Sequence, residues 1–521
     1  MNGAEALMRT LVASGVDVCF TNPGTSEMHF VATLDQVPEM RAVLALFEGV
    51  ATGAADGYGR VAGRPAATLL HLGPGLGNGI ANLHNARRAA TPVVNVVGDH
   101  ATYHRVYDAP LQSDIASLAR PVSAWYRESV SAHALPGDGA DAVAAAMAPP
   151  GGVATLVVPA DASWSEAPGP APARPDTARR AVSVEAVDDA AKALRGEGPV
   201  VLLVGGHVMA ERGLVAAARV AEASGARLLC ETFPARHRRG AGLPAVERLA
   251  YLAELTALQL DGARHLVVAG TRAPVSFFAY PGHASDLVPE GCEVHVLADD
   301  AEDDAVGALE ALVEALGAAA GPGPARAPAA RPGLPPPGPL DAQSAAAVIG
   351  ALLPEDAIVS DEANTSGIFI PGATAGAPPH DWLCLTGGAI GQGLPVATGA
   401  AVACPDRKVV CLEADGSAMY TLSSLWTQAR EGLDVTTVVF SNRSYAILAM
   451  ELGRVGAGEP GPRARGILEL DHPQLDFVAL ARGMGVPAWR AERTEELADQ
   501  LGRALQSPGP ALVEAVVGPA F

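Results

Sequence analysis

The 521-residue sequence is short of several things, and each shortage removes a class of function. Basic residues are outnumbered: 36 Lys and Arg face 57 Asp and Glu, a formal net charge of −21. A field of that sign repels nucleic acid and anionic lipid, so neither is expected as a main partner. Although 49% of the residues are hydrophobic, no uninterrupted apolar run is long enough to span a bilayer. The start, Met1-Asn2-Gly3-Ala4-Glu5, has neither the basic head nor the apolar stretch of a signal peptide. Cysteine is sparse. Cys19, Cys230, Cys292, Cys384, Cys404 and Cys411 are scattered, with no CxxC pair, and most lie in apolar surroundings. That pattern fits reduced core thiols in a cytoplasmic protein. No short-period repeat is present, which argues against a solenoid. The surplus of Ala, Gly and Pro beside little lysine is a composition bias and carries no functional reading.

Two proline-rich stretches punctuate the chain, residues 167–175 and 321–339. Such segments continue neither helix nor central strand and act as extended spacers. They divide the chain into 1–166, 178–318 and 340–521. Each part alternates short β-branched runs with Ala/Leu-rich helical stretches. Strands are expected at 66–71, 93–97 and 154–158; at 200–204, 227–230, 265–269 and 293–297; and at 357–360, 408–412, 436–440 and 511–516. The alternation predicts an α/β protein of three doubly wound parallel sheets, with helices on both faces.

The most informative stretch is Glu413-Ala414-Asp415-Gly416-Ser417, followed by Ser441-Asn442-Arg443-Ser444. Residues 409–412 read as a buried strand, 435–440 as a second, and 422–430 as a helix between them. Asp415 and Asn442 then stand at the carboxyl ends of two parallel strands, where open α/β sheets bind ligands. A carboxylate, an amide oxygen and a loop carbonyl are hard donors suited to Mg²⁺ or Ca²⁺, which bridges to phosphate. Gly416 lets the backbone approach a diphosphate, and Ser417 adds a donor at a helix start. Glu48 opens a second stretch, Glu48-Gly49-Val50-Ala51-Thr52-Gly53, with small and apolar flanks. A carboxylate there needs a strong partner or a proton. The residues alone favour a helix-start glutamate answering the macrodipole. A third stretch, Leu385-Thr386-Gly387-Gly388-Ala389-Ile390-Gly391-Gln392-Gly393-Leu394-Pro395, reads by itself as a Gly-rich turn between strand and helix.

Together the three stretches resemble the signatures of thiamine-diphosphate-dependent enzymes, in that family's order and at its separations. The family's metal–diphosphate motif usually begins Gly-Asp-Gly; here Ala414 replaces the first Gly and leaves the ligands in place. The resemblance implies that Asp415, Asn442 and the Ser444 carbonyl hold the metal, with Gly416 and Ser417 at the diphosphate. It places Asn364 and Thr365 at the diphosphate as well. Glu48 resembles the glutamate that hydrogen-bonds N1′ of the aminopyrimidine and favours the imino tautomer, whose nitrogen removes the C2 proton. The Gly388 carbonyl would accept from the 4′-amino group, and Ile390 would wedge beneath the bent cofactor. The same resemblance implies a pyrimidine-binding domain (1–166), a central domain (178–318) and a diphosphate-binding domain (340–521). It further implies a dimer or tetramer in which Glu48 of one subunit faces the diphosphate site of another.

Thr21-Asn22-Pro23-Gly24-Thr25-Ser26-Glu27 resembles the Asn-Pro-Gly-Ser segment of benzoylformate decarboxylases, with Thr25 at the place of their active-site serine. Leu70-His71-Leu72-Gly73-Pro74-Gly75-Leu76-Gly77-Asn78 resembles their strand–loop segment, with His71 at the place of an active-site histidine. A histidine there moves protons near neutral pH; the plainer alternative is a buried structural imidazole. G-x-G-x-x-G fails, because Asn78 stands where the third Gly is due, and a nicotinamide cofactor is rejected. The second histidine of those decarboxylases has no counterpart in residues 273–282. Ala279 stands nearest its place, and His283 is the first histidine. The adjacent His pair of pyruvate decarboxylases is missing too. Gly391-Gln392-Gly393-Leu394-Pro395 and Tyr445-Ala446-Ile447-Leu448 resemble acetolactate-synthase large subunits, which do not usually carry a histidine at the His71 position. Gly205-Gly206-His207 reads as a relic of a nucleotide site, with too few features to imply FAD, and a structural central domain is expected.

The resemblance therefore implies, first, a thiamine-diphosphate-dependent 2-oxo acid decarboxylase with Mg²⁺, working through a C2 carbanion and an enamine and able to join the product to a second aldehyde. The alternative is an acetolactate-synthase-like carboligase condensing two 2-oxo acids. A non-catalytic cofactor-binding homologue is the third reading, against which the intact Glu48, Asp415 and Asn442 argue. The side chain of the oxo acid is not specified. Ile447, Leu448, Met450, Phe277 and Phe278 suit an apolar pocket and an ordinary core equally.

Overall fold

Short β-branched runs supply the strands and Ala/Gly-rich stretches the helices in a computed structural model of the chain, which describes residues 1–318 and 324–518. The first sheet comprises β1 (Val18–Asn22), β2 (Arg41–Leu44), β3 (Ala66–Leu70), β4 (Val93–Asp99), β5 (Trp125–Glu128) and β6 (Val153–Pro159). Their spatial order is β2-β1-β3-β4-β6-β5, parallel throughout. The middle of the chain supplies β7 (Val200–Val204), β8 (Arg227–Cys230), β9 (His237–Arg239), β10 (Glu247–Arg248), β11 (His265–Ala269) and β12 (Glu293–Ala298). Five of these form the second sheet, β10-β8-β7-β11-β12. The third is built on β13 (Ile358–Glu362), β14 (His380–Cys384), β15 (Val409–Ala414), β16 (Val435–Ser441), β17 (Ala488–Ala491) and β18 (Ala511–Val516), in the order β17-β18-β16-β15-β13-β14-β9.

β9 departs from the expected pattern. It leaves the middle of the chain and pairs antiparallel with β14 at the edge of the third sheet, with Arg239 opposite His380. Its residues, His237-Arg238-Arg239, are polar and short, as edge strands often are, which is why no strand is expected there from sequence. β5, with Tyr126, Arg127 and Glu128, also lies at an edge and went unforeseen for the same reason. The interior strands behave as helix-covered parallel strands should: every residue of β4 and β16 is buried. The helix expected at 422–430 spans Ser424–Glu431, and a shorter one, Asp415–Thr421, precedes it and begins on Asp415 itself.

The first and third sheets share one hydrophobic core, whereas the second has its own. Two helices of small residues make that union, Glu48–Ala62 and Gly393–Ala403. Their backbones touch. A Cβ on Gly57 would lie 2.1 Å from the Val396 carbonyl oxygen, and one on Gly399 1.8 Å from that of Ala54. Arg60 locks the pair. Its ion pair with Asp56 is buried at 2.6 Å, and it also donates to the Cys384 carbonyl (2.7 Å), Thr386 Oγ1 (3.0 Å) and Gln392 Oε1 (3.2 Å). Thr91 donates to Asp56 Oδ1, which also accepts from Arg60 Nε. A buried ion pair satisfied this fully escapes the penalty that a half-paired one carries.

Among the described residues no helix is long and apolar enough to cross a membrane. All six cysteines are free and four are buried. Burial pushes the Cys19 thiol up to about 12 and that of Cys384 to about 11, which suppresses thiolate chemistry. The proline-rich stretch at 167–175 has neither helix nor strand. The start of the second stretch, 321–323, and the chain end, 519–521, lie outside the described residues.

The helix contact makes a direct prediction. Gly57→Ala and Gly399→Ala should each destabilise the protein by about 1–3 kcal/mol or more, because the added methyl meets backbone that cannot yield. Gly453→Ala, whose Cβ would meet nothing within 4 Å, should cause no loss. Denaturant midpoints of the three variants are the check, and an unchanged midpoint for Gly399→Ala would contradict the packing.

Candidate active site

β2 runs through residues 45–47 into the helix that begins at Glu48, with Phe47 extended (φ −150°, ψ 135°) as its N-cap. Glu48 is 9% exposed. Its Oε2 accepts from Asn78 Nδ2 at 2.9 Å, and no ion pair among the described residues neutralises it. Gly75 leaves the space in front of it: a Cβ there would lie 3.2 Å from Glu48 Oε1 and 3.4 Å from the Cβ of His71. Two of the side chains singled out from the first part of the sequence, Glu48 and His71, thus flank one glycine.

His71 follows β3 as N-cap of the Leu72–Arg88 helix. Its Nδ1 is 2.8 Å from Oε2 of Glu27, a residue to which the sequence reading assigned no role. Glu27 is 3% exposed and also accepts from the Gly24 amide at 2.7 Å. Burial pushes its carboxyl above the usual range, and the nearby imidazole opposes that shift. Two glycines shape the pair. A Cβ at Gly24 would strike the His71 ring at 2.2 Å, and one at Gly98 would strike Glu27 Oε1 at 1.7 Å. An ionised Glu27 draws the ring proton to Nδ1 and leaves Nε2 as the working nitrogen. Thr25 heads the single-turn Thr25–Glu27 helix and is exposed. Its hydroxyl makes none of the hydrogen bonds found among the described residues. A signal for Glu27 was present, a carboxylate three residues beyond Gly24 in a helix-start pattern, but its partner is 44 positions away.

The second cluster sits at the carboxyl ends of β15, β16 and β13. Asp415 is 2% exposed; its Oδ1 accepts from the Gly416 amide (2.8 Å) and its Oδ2 from the Arg443 amide (2.6 Å). No cationic side chain among the described residues pairs with it, and burial pushes its carboxyl up to about 6. Asn442 Oδ1 accepts from the Ser444 amide at 3.0 Å, while its Nδ2 donates to Ser366 Oγ at 3.3 Å. The Ser444 carbonyl accepts no hydrogen bond among the described residues. Asn364 Nδ2 donates to Ser417 Oγ at 3.0 Å, joining two residues expected at one ligand; Thr365 beside it is half-buried. A Cβ on Gly416 would strike the Tyr445 ring at 2.4 Å. This set offers only hard oxygens around an uncompensated carboxylate, the chemistry of an Mg²⁺ or Ca²⁺ site.

The loop at 387–392 links the clusters. Gly388 has φ 73°, and a Cβ there would meet the Phe277 ring at 2.7 Å; Ile390 is half-buried. Glu362 accepts from the Gly391 amide at 2.7 Å and from the Gly393 amide, at the N-terminus of the Gly393–Ala403 helix. Asn82 donates to the carbonyls of both Gly49 (2.8 Å) and Gly391 (3.2 Å). Asn85 exchanges hydrogen bonds with Ala389. Thr421, on the helix that starts at Asp415, donates to the Gly391 carbonyl at 3.0 Å. The scaffold is continuous, yet no hydrogen bond or ion pair among the described residues joins Glu48 or His71 to Asp415, Asn442 or Ser444.

Phe277 also borders a cavity of 180 Å³ that is lined by Phe233, Tyr251, Val275 and Leu287 among others. Ile447, Leu448 and Met450 lie on the Ala446–Arg454 helix, which buries no residue fully, so they are not ordinary core. Ala279 and His283 are exposed. In the second sheet, the Gly206 amide that would face a nucleotide phosphate donates instead to Glu231 Oε1 at 2.8 Å.

Residues 1–118 match the family model described as thiamine pyrophosphate enzyme, N-terminal TPP binding domain, and residues 372–515 match its C-terminal TPP binding domain. The chain is 60% identical over 520 residues, 99% of both chains, to IlvX of Mycobacterium tuberculosis, which is named for acetolactate synthase large subunits. It is 33% identical to the benzoylformate decarboxylase of Pseudomonas aeruginosa, with 96% of each covered. Among solved structures it is similar to the thiamine diphosphate-dependent 4-hydroxybenzoylformate decarboxylase of Rhodococcus jostii RHA1, at 25% identity, 99% coverage of each chain and a TM-score of 0.86.

Two buried acids beneath the loop make stability depend on pH. Burial pushes Glu362 up to about 7 and Glu413 well above the usual carboxylate range, and the nearby Glu362 raises Glu413 further. The folded chain therefore holds protons that the unfolded chain, with glutamates near 4.5, releases. Their stabilisation is complete below that value and is lost as pH rises through the folded pKa. The thermal midpoint should fall between about pH 5 and pH 8. Glu413→Gln, neutral throughout, should reduce that slope and be the more stable protein at the alkaline end. An unchanged slope in the variant would contradict this account.

Proposed function

This chain belongs to the thiamine pyrophosphate enzyme family, and from that footing we propose that it decarboxylates a 2-oxo acid, as a lyase. The observation that carries the reading is the Glu27–His71 pair, set beside Glu48 across Gly75. A histidine whose tautomer is fixed by a buried carboxylate is built to hold or give up a proton at Nε2. Its place beside Glu48 supports a role for that proton at a bound substrate. When bound, thiamine diphosphate supplies the electron sink for cleavage between the 2-oxo carbon and its carboxylate.

The chain's own residues divide the remaining work. Asp415, Asn442 and the Ser444 carbonyl would hold Mg²⁺, and the lack of a counter-cation at buried Asp415 supports that fit. Gly416, Ser417, Asn364 and Thr365 would face the diphosphate oxygens. Glu48 would hold the proton at N1′ of the pyrimidine, the Gly388 carbonyl would accept from the 4′-amino group, and Ile390 would support the rings from below. Thr25 would face the substrate from the mouth of the site. We assign 1–166 to pyrimidine binding, 340–521 to diphosphate binding and 178–318 to a structural central domain. The Gly206 amide, taken by Glu231, disfavours FAD there. The lack of any hydrogen bond or ion pair, among the described residues, between Glu48 and the Asp415 cluster of the same chain supports a dimer or tetramer with sites between subunits, and we assign the protein to the cytoplasm.

Condensation of two 2-oxo acids is the second reading. It is favoured by the missing central-domain histidine, since without it protonation of the decarboxylated species has one fewer donor. Incubation with a panel of 2-oxo acids, with products identified by mass spectrometry, separates the two. Free aldehyde with CO₂ supports decarboxylation; a condensed hydroxy-oxo acid without aldehyde replaces it with the second reading.

Four variants test the residue roles. Asp415→Ala should weaken Mg²⁺ and thiamine diphosphate together in calorimetry, and wild-type affinity would refute the metal assignment. Glu48→Gln should keep the cofactor but lose most exchange of its C2 proton in NMR. His71→Ala should lower kcat by about 10²-fold, near the lower end for general acid–base catalysis, with cofactor affinity intact. Glu27→Gln should lower kcat less and shift its pH profile. Full turnover in His71→Ala would make that imidazole structural.

A further inference from the structure

β11 and β12 run parallel, with His265 opposite Glu293 and Val267 opposite His295. Directly paired residues share a face of a sheet, and so do residues two apart on one strand. His265, Glu293 and His295 therefore project together from one face of the second sheet. We propose that these three side chains bind a transition-metal dication of the Zn²⁺ class, at a site separate from the cofactor's.

The geometry is that of a ligand triad. His265 Nδ1 is 3.1 Å from His295 Nε2, and Glu293 Oε2 is 3.6 Å from the former and 3.8 Å from the latter. A point equidistant from those three atoms lies about 2.0 Å from each, which is the length of a Zn–N or Zn–O bond. Tetrahedral coordination sets such ligands about 3.3–3.4 Å apart. Shifts of a few tenths of an ångström reach it, and Glu293, with its side chain 71% exposed, is free to make them. Among the described residues, this is the one group of three His, Cys, Asp or Glu side chains whose ligand atoms all lie within 4.8 Å.

The surroundings suit a bound ion. The helix Val184–Leu194 packs over this part of the sheet, and Gly196 just beyond it makes room for the imidazole: a Cβ there would lie 3.3 Å from His265 Nε2. The two imidazoles are half-buried, with side chains 20% and 24% exposed. Glu293 faces solvent, which leaves a fourth position to water. Without metal, one ring donates to the other, so the two nitrogens are already gathered. Two nitrogens and one carboxylate select Zn²⁺, Co²⁺ or Ni²⁺ over the Mg²⁺ that suits the all-oxygen Asp415 set. The site ties the edge strand β12 to β11 and so stabilises the central sheet, whether or not the cofactor site turns over.

The test uses the full chain saturated with thiamine diphosphate and excess Mg²⁺, so that the oxygen site is filled, at about pH 7.5 where imidazole is neutral. Titration with Zn²⁺ in a calorimeter should show one equivalent bound per chain and a raised thermal midpoint. Co²⁺ should give the intense visible absorption of a tetrahedral ion. Loss of an outer partner costs about 10–100-fold in metal affinity, so His295→Ala and the surface variant Glu293→Gln should each lose at least about 100-fold. Asp415→Ala should leave the Zn²⁺ stoichiometry unchanged. No Zn²⁺ binding by the wild type, or equal binding in His295→Ala and Glu293→Gln, would overturn the proposal.

Discussion

The Glu48–Ala62 and Gly393–Ala403 helices approach until the space between Gly399 and the Ala54 carbonyl is narrower than a methyl group. Only glycine at positions 57 and 399 allows that approach, and dispersion between the two close backbones makes it firm. Everything chemical hangs from it. One helix begins at Glu48, and the other begins just after the loop that carries Gly388 and Ile390. Arg60 ties the first helix to the strand and loop before the second, through Cys384, Thr386 and Gln392. Asn82 then spans Gly49 and Gly391. Glu48 and the loop of one chain are thereby held rigid before any ligand arrives, so that each subunit can offer a fixed half of a site shared with its neighbour.

The chain keeps strain and uncompensated charge in the same region. Six non-glycine residues have positive φ among the described residues, and three of them are Leu72, Asn364 and Arg443. They adjoin His71, head the turn that reaches Ser417, and shape the loop between Asn442 and Ser444. Each such conformation costs about 1–3 kcal/mol and persists where surrounding structure dictates it. Asp415, Glu362 and Glu413 are buried without a cationic partner among the described residues. Glu362 is rationalised by the amides it receives at a helix start. Asp415 remains the residue whose desolvation a bound dication would offset.

Much of the site was legible because its parts are local. Asp415 and Asn442 follow adjacent parallel strands, so 27 residues of sequence place both at the carboxyl end of one sheet. Glu48 begins its helix as the Ala/Gly pattern implies, and four of the seven strands in the third sheet follow the expected β-branched runs to within two residues, whereas β14 and β17 were not expected. What escaped depends on distant partners. Glu27 acquires a role only when β1 and β3 pair and bring His71 to it. β9 cannot be seen as a strand until β14 offers it an edge. Phe277 and Ile447 looked interchangeable as apolar residues; the fold separates them, setting the first against Gly388 and leaving the second on a helix with no buried residue.

The central claim is that one cofactor joins the Glu48 cluster to the Asp415 cluster. A crystal structure of the protein grown with thiamine diphosphate and Mg²⁺ tests it most directly. The account predicts a metal held by Asp415, Asn442 and the Ser444 carbonyl, with N1′ of the pyrimidine within hydrogen-bond distance of Glu48 from a second subunit. A cofactor bound with its metal on other residues, or with N1′ away from every Glu48, would contradict it.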